Sequence, residues 1–579
     1  MSAGSFLAVA GAQPDAWSDE ICSRRGFKIV FRGERLLVGT DGLMPFTLIP
    51  RNGGVVLGSL YGRHATKADL GYGLETQPTD WLQYLRRNCW GSYVALVDGP
   101  PLIARDPSGA VPTYYRHEDG IILCSNDVAL FGGTYAIDWA MLRLNMTAEG
   151  YHGDRTCLAD IFELRPATLL DGSCDPPSTQ SFWSPWTFAS LDRHDHAPNA
   201  DELEAVIDHA VTCLASPFER PLALMSGGLD SSIVLAGLSK AGKAAQCLTM
   251  ATKDPSGDER IYARMVAEHF GFPLHEGFYD TAHVDPARCA APHLPHPKRR
   301  PLYQSMAHLA TDVADATGAD AFFSGNGGDH VFCFLQSATP ILDCLRAGRP
   351  LLEVLAAYEN IALLTGCSLG EALGSLWRRS RRPVRYSWPL TDDLLYAEQI
   401  TQDATHPWLD CPEDALPGKA FHIAMLARMQ EDMEAPFPLD GPPMVTPLMA
   451  QPVMETCLTI PSWKWISGGR NRSIARDAFR RRLPQKIADR RGKPGPARFS
   501  FEILKSFESR LKQMLLDGIL AEQGIIDRGK VEAACGAIAT LDGTQGRRLL
   551  QLADAESWCR HWSGRKIAYS PSDRPKENG

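Results

Sequence analysis

The run Leu222-Ala223-Leu224-Met225-Ser226-Gly227-Gly228-Leu229-Asp230-Ser231-Ser232 gathers residues that can bind a phosphate. Two adjacent glycines let the backbone approach a ligand in conformations that other residues resist. The N–H groups of such a turn, with the start of the helix-like run at 233–240, point at whatever lies above the end of the apolar strand. That geometry suits an anion, above all a phosphate. Ser226, Ser231 and Ser232 add hydroxyl groups. Asp230 would repel phosphates unless a cation lay between, and Mg²⁺ fits that gap. A second strand and turn, Ala321-Phe322-Phe323-Ser324 followed by Gly325-Asn326-Gly327-Gly328-Asp329, also ends in an aspartate. Two carboxylates from two strand ends would hold one Mg²⁺ against the phosphates.

Both turns need a scaffold that brings strand ends together. From Asp201 the pattern supplies one. Leu203, Val206, Ile207, Ala210, Val211 and Leu214 share one helix face, with Asn199 or Asp201 as candidate cap. Short apolar strands at 222–225, 247–250, 274–279 and 321–323 then alternate with helices at 259–270, ended by Gly271, and 304–317, ended by Gly318. Such alternation predicts right-handed crossovers and a parallel sheet, with ligands beyond the strand C-terminal ends near the switch in strand order. Residues 331–565 read as mainly helical. Residues 1–135 instead show short apolar or alternating runs (28–31, 54–57, 92–97, 121–124) separated by Gly, Pro and Asp turns, as in a strand-rich domain.

The chain is long enough for several domains: 579 residues, 44% hydrophobic and 22% charged. A net charge of −9 leaves no basic footprint for nucleic acid, and the short runs at 298–300 and 480–482 read as solvated faces. Fifteen scattered cysteines without a Cys-x2-Cys pair predict reduced thiols, no zinc ribbon and a cytoplasmic home. No apolar run approaches a membrane span, and nothing precedes Phe6–Ala10 that would make it a signal peptide.

No Gly-x4-Gly-Lys-Ser/Thr loop occurs, and Ser-Gly-Gly-x-Asp-Ser resembles the pyrophosphate loop of the ATP pyrophosphatases, which cleave ATP to AMP and pyrophosphate. The segment Arg105-Asp106-Pro107-Ser108-Gly109 through Tyr114-Tyr115 resembles the N-terminal glutaminase domain of class B asparagine synthetases, and Ser324-Gly325-Asn326-Gly327-Gly328-Asp329 resembles their second nucleotide loop. The fold implied is α/β. A degenerate glutaminase-like, Ntn-hydrolase-like α+β domain spans 1–172 and a linker 173–200. An ATP-pyrophosphatase-type synthetase domain, with a parallel sheet and a helical C-terminal region, spans 201–565, and a disordered tail 566–579.

The resemblance assigns Asp230 and Asp329 to Mg²⁺. It assigns Met225, Ser226, Gly227, Gly228, Asp230, Ser231, Ser232, Met250, Ser324 and Gly325 to ATP, with adenine and ribose near Met225, Met250, Ser324 and Gly325. Lys493, in Arg490-Arg491-Gly492-Lys493, matches a lysine that steadies the charge of acyl transfer; it also reads as one more cation in a basic run.

Three departures narrow the family. Met1 is followed by Ser2, and the first cysteine is Cys22, whereas the family's glutaminase uses an N-terminal cysteine with its own amine as base. Ammonia from glutamine is therefore not expected. At the catalytic position 326, Asn replaces the Glu of asparagine synthetases and the Tyr of β-lactam synthetases, and an amide cannot take a proton. The run Gly469-Arg470-Asn471-Arg472-Ser473-Ile474-Ala475-Arg476 is similar to lasso-peptide cyclases.

The implied activity is ATP-dependent closure of a macrolactam in a leader-free core peptide, with a leader peptidase and a leader-binding protein as partners. The alternatives are a β-lactam synthetase-like or asparagine synthetase-like ligase and, in another class, a non-catalytic peptide-binding scaffold. Glu431, Asp432 and Glu434 remain open as proton-transfer groups.

Overall fold

The computed structural model describes residues 4–11, 13–24, 26–68, 78–190, 198–254, 258–297, 301, 303–396, 404–434, 441–490 and 497–567. Lys493, Ser2 and the basic run at 298–300 lie outside the described residues, as does all of the expected tail beyond residue 567.

The N-terminal part holds two six-stranded antiparallel sheets. Phe6, Ala8, Leu36, Val38 and Ile122 of one sheet pack against Val55, Leu57, Val94, Leu96 and Ile103 of the other. Alternate residues on a strand point to opposite faces, so a second set must be covered elsewhere. Val56, Tyr93, Ala95 and Ala104 pack under Trp81 and Leu85 of the helix Pro78–Asn88. Leu7, Val9, Leu37 and Leu123 share a core with Phe499, Trp558 and Trp562 of the C-terminal helices. Helices therefore cover both outer faces of the sandwich.

The second half is built on a parallel sheet of five strands. In spatial order they are Leu274–Phe278, Gln246–Ala251, Pro221–Leu224, Ala321–Ser324 and Met444–Val445. The helix ahead of it, Ala200–Ala215, begins with a capping box: Asn199 Oδ1 accepts from Glu202 N at 2.9 Å, and Glu202 Oε2 accepts from Asn199 N at 2.8 Å. Gly271 closes the helix Arg260–Phe270 in the left-handed region, at φ 71°. The α/β architecture read from the sequence is the one observed.

Two boundaries differ from the reading above. The strand Ser178–Ser181 pairs with Thr168–Asp171, so the first domain runs on into the stretch read as linker. Its side chains are all exposed, which gives an edge strand no hydrophobic period to detect. The C-terminal helices, grouped above with the synthetase domain, share one core with both the N-terminal sheet and residues Tyr279, Val284 and Leu294 of the synthetase domain. Lys566–Ile567, the first residues of the expected tail, pair with Gly133–Thr134. Among the described residues no single helix is long and apolar enough to cross a membrane.

Candidate active site

The sheet's first strand, Pro221–Leu224, extends the sheet one way to Gln246–Ala251 and the other way to Ala321–Ser324. The switch in strand order thus falls between the two strands that carry the glycine-rich turns. Leu224 and Ser324 are level with each other, so both turns open at one crevice.

Glycine is required where these turns meet. A Cβ at Gly325 would strike the backbone of Asp230 and Ser231, and one at Gly328 would strike the Asp230 carboxyl. Gly227 lies at φ 62° and Gly327 at φ 85°, each pressed on a neighbour, Tyr262 and Met449 respectively. The helix Leu229–Lys240 begins at Gly228 without a side-chain cap, which leaves its first amide groups facing the turn. Gly325→Ala is expected to weaken ATP·Mg²⁺ binding by about tenfold or more, since overpacking against backbone costs about 1–3 kcal/mol. Calorimetric titration checks this; unchanged affinity would show that the two turns need not touch.

Asp230 and Asp329 converge. One nitrogen, Arg472 Nη1, donates to Asp230 Oδ1 and Oδ2 at 3.0 Å each and to Asp329 Oδ1 at 2.5 Å. Two carboxylates that reach one cationic nitrogen can also reach one hard divalent ion, so this oxygen donor set fits Mg²⁺. The Asp230 and Arg472 side chains are nearly buried, whereas that of Asp329 is 42% exposed and faces the opening. Arg472 itself stands at φ 53°, an uncommon conformation for a residue with a side chain, and its guanidinium lies 5.4 Å from the Phe334 ring centre.

The other expected residues take different places around the crevice. Ser226 Oγ and Ser231 Oγ are 3.3 Å apart. Ser232 is fully buried and donates its hydroxyl to Gly228 O at 2.8 Å, bracing the turn from inside. Met225 is buried and donates its N–H to Leu248 O at 2.7 Å, while Met250 is half-buried on the next strand. Ser324 Oγ accepts from Asn326 N at 3.1 Å, and Asn326 lies at the tip of its turn.

Arg490 precedes the segment containing Lys493. It donates to Gly227 O at 3.0 Å and to Glu259 Oε1 at 2.6 Å, and stacks on Tyr262 at 3.8 Å. Arg476 is buried on Asn471 O and Ala488 O, with its pKa lowered to about 10 by burial and by Arg472. Of the three acids left open, Glu434 is occupied away from the crevice by Arg105 and Tyr114. Asp432 acts on His330, whose pKa is lowered chiefly by burial, with Asp432 opposing the shift.

Sequence reasoning named Arg472 only as part of a run. Its αL position just before the helix Ser473–Phe479, and its reach to both aspartates, carry no local signal. A cavity of about 320 Å³ lies elsewhere, at the junction of the two domains, and is lined by Ser59, Trp90, Asn126, Phe218 and Met433 among others. Asp230, Asp329 and Arg472 are not among its lining residues.

The family profile described as Asparagine synthase matches residues 202–435 and 440–560. No curated protein matches the chain. Among solved structures, the glutamine phosphoribosylpyrophosphate amidotransferase from B. subtilis complexed with ADP and GMP is similar at 10% identity and a TM-score of 0.19, covering 48% of this chain and 75% of that one. A structure titled as the allosteric regulatory enzyme of purine biosynthesis matches at the same identity and score, over 48% of this chain and 74% of that one. So distant a likeness says nothing about chemistry.

Proposed function

The chain belongs to the asparagine synthase family, ATP-dependent enzymes that form amide bonds, and from that premise we propose that it is an AMP-forming macrolactam synthetase acting on a lasso-type core peptide. The observation that carries the ligase chemistry is the meeting of Asp230 and Asp329 on one cationic nitrogen at the switch point of the sheet.

An Asp or Glu side-chain oxygen of the peptide attacks the α-phosphorus of ATP, and pyrophosphate leaves. The peptide's N-terminal amine then attacks the acyl carbon, AMP leaves, and the amine's proton passes to solvent. The glycine turns and the uncapped helix start hold the triphosphate through N–H groups. Asp230 and Asp329 would hold Mg²⁺, which supplies charge neutralisation for the departing pyrophosphate.

Asn326 favours an amine that needs no strong base. It offers an amide at the turn tip, and a peptide α-amine has a pKa of about 7.7–8, so part of it is neutral near pH 7. The rest of the enzyme's contribution is positioning, because the ring must close while the tail is threaded through it.

The test incubates the protein with ATP·Mg²⁺, the precursor peptide and its peptidase and leader-binding partners. The expected product is one water lighter than the core peptide, with AMP and pyrophosphate released in equal amounts. AMP release driven only by a small β-amino acid would replace the peptide reading with a β-lactam synthetase. ADP as the nucleotide product would remove the acyl-adenylate altogether.

A further inference from the structure

We infer that His152, Glu163, His296 and Glu434 form a site for a transition-metal ion of the zinc type at the junction of the two domains. The inference is independent of the cyclase reading. All four side chains are buried, between 1% and 6% exposed. Each offers one ligand atom, and these atoms all lie within 4.8 Å of one another. His152 Nδ1 is 3.2 Å from Glu163 Oε2 and 3.4 Å from Glu434 Oε2, and His296 Nε2 is 3.2 Å from Glu434 Oε2. Zinc bonds to nitrogen and oxygen are about 2.0–2.2 Å long, which makes the edge of a tetrahedral site about 3.3–3.5 Å. Three of the six donor spacings therefore match that edge, and all six lie within 4.8 Å.

The surroundings fit as well. His296 Nε2, buried and turned toward the cluster, makes no hydrogen bond of good geometry. The second carboxylate oxygens point outward to fixed donors. Arg105 Nη1 donates to Glu163 Oε1 at 3.1 Å, and Arg105 Nη2 donates to Glu434 Oε1 at 3.3 Å. Tyr114 donates its hydroxyl to Glu434 Oε2, the oxygen that faces the histidines, at 3.2 Å. Such outer contacts orient metal ligands and are part of a built site. A void of about 10 Å³ adjoins His152, Glu163 and His296.

The donors come from both halves of the chain. His152 and Glu163 belong to the N-terminal domain. His296 lies on the segment after the strand Leu274–Phe278, and Glu434 follows the helix Pro417–Met433. A bound ion would pin the sandwich to the synthetase domain beside the end of that helix.

The test uses the full-length protein, stripped with a chelator, dialysed, and titrated with Co²⁺ and then Zn²⁺. One equivalent of Co²⁺ is expected to give the intense visible bands of four-coordinate cobalt. Zn²⁺ should abolish them and raise Tm. An all-oxygen site at Asp230 and Asp329 would give only the weak bands of six-coordinate cobalt. His296→Ala is expected to weaken cobalt binding by at least about a hundredfold, and Tyr114→Phe by about tenfold. Absence of intense bands in the wild-type protein would overturn the assignment and leave a metal-free ion network, as would full cobalt affinity in His296→Ala. Should His296→Ala fail to fold, the wild-type titration and Tyr114→Phe still decide.

Discussion

Asp230→Ala is expected to abolish release of AMP and pyrophosphate, with kcat/KM down by about 10³-fold, the scale of losing one fixed electrostatic partner at a reacting centre. Asp230 is nearly buried, sits in the first turn of the helix behind the Ser-Gly-Gly turn, and shares Arg472 Nη1 with Asp329. Removing it takes away half of the paired carboxylates but leaves Arg472 bound to Asp329. Stability should therefore move little, because a carboxylate near a helix start contributes about 0.3–1 kcal/mol. Pyrophosphate release and thermal unfolding, measured on the same preparation, separate the two effects. Near-normal turnover by a folded Asp230→Ala protein would refute the role given to the pair. Asp230→Asn, which keeps the shape and loses the charge, should fail almost as completely.

Arg105→Ala is expected to cost the fold far more than the chemistry. The Arg105 side chain is fully buried. Its guanidinium donates to Leu164 O and Gly109 O, both at 2.8 Å, as well as to Glu163 and Glu434. Removing it leaves two acids in the interior without their common counter-charge, and breaking such a buried pair costs about 3–5 kcal/mol. In a chain of this size that is a fall in Tm of roughly 3–4 °C. Arg105→Lys should rescue little, since an ammonium cannot span the four acceptors that the planar fork reaches. Adding Glu163→Gln to Arg105→Ala should recover part of the loss by removing one stranded charge. A Tm for Arg105→Ala indistinguishable from that of wild type would show that Arg105 does not bind the halves together.

The same arginine shows what the sequence can and cannot convey. As sequence, Arg105-Asp106 is a turn motif that marks ancestry more than activity. Locally it is a turn, in which Asp106 accepts from Ser108 N at 2.7 Å and Tyr93 N at 3.1 Å. Its longer reach, to Glu434 across 329 residues of chain, has no local signature. The glycine turns are legible because their constraint is local: small residues at strand ends followed by an aspartate. Their meeting follows from strand–helix alternation, which fixes where a parallel sheet changes direction. Arg472 is not legible as a partner of Asp230, because the contact spans 242 residues and depends on one backbone angle. The cluster of His152, Glu163, His296 and Glu434 is equally hidden, since its members come from separate segments with no ligand spacing between them.

The guanidinium lodged between Asp230 and Asp329 has a consequence for loading. A lone magnesium ion must displace a tethered positive charge held by both carboxylates, so it enters at a disadvantage. An ion that arrives already bound to a triphosphate brings new anions to which the displaced guanidinium can turn. Filling the crevice is then an exchange of counter-charges, and it selects the metal–nucleotide complex over either component alone.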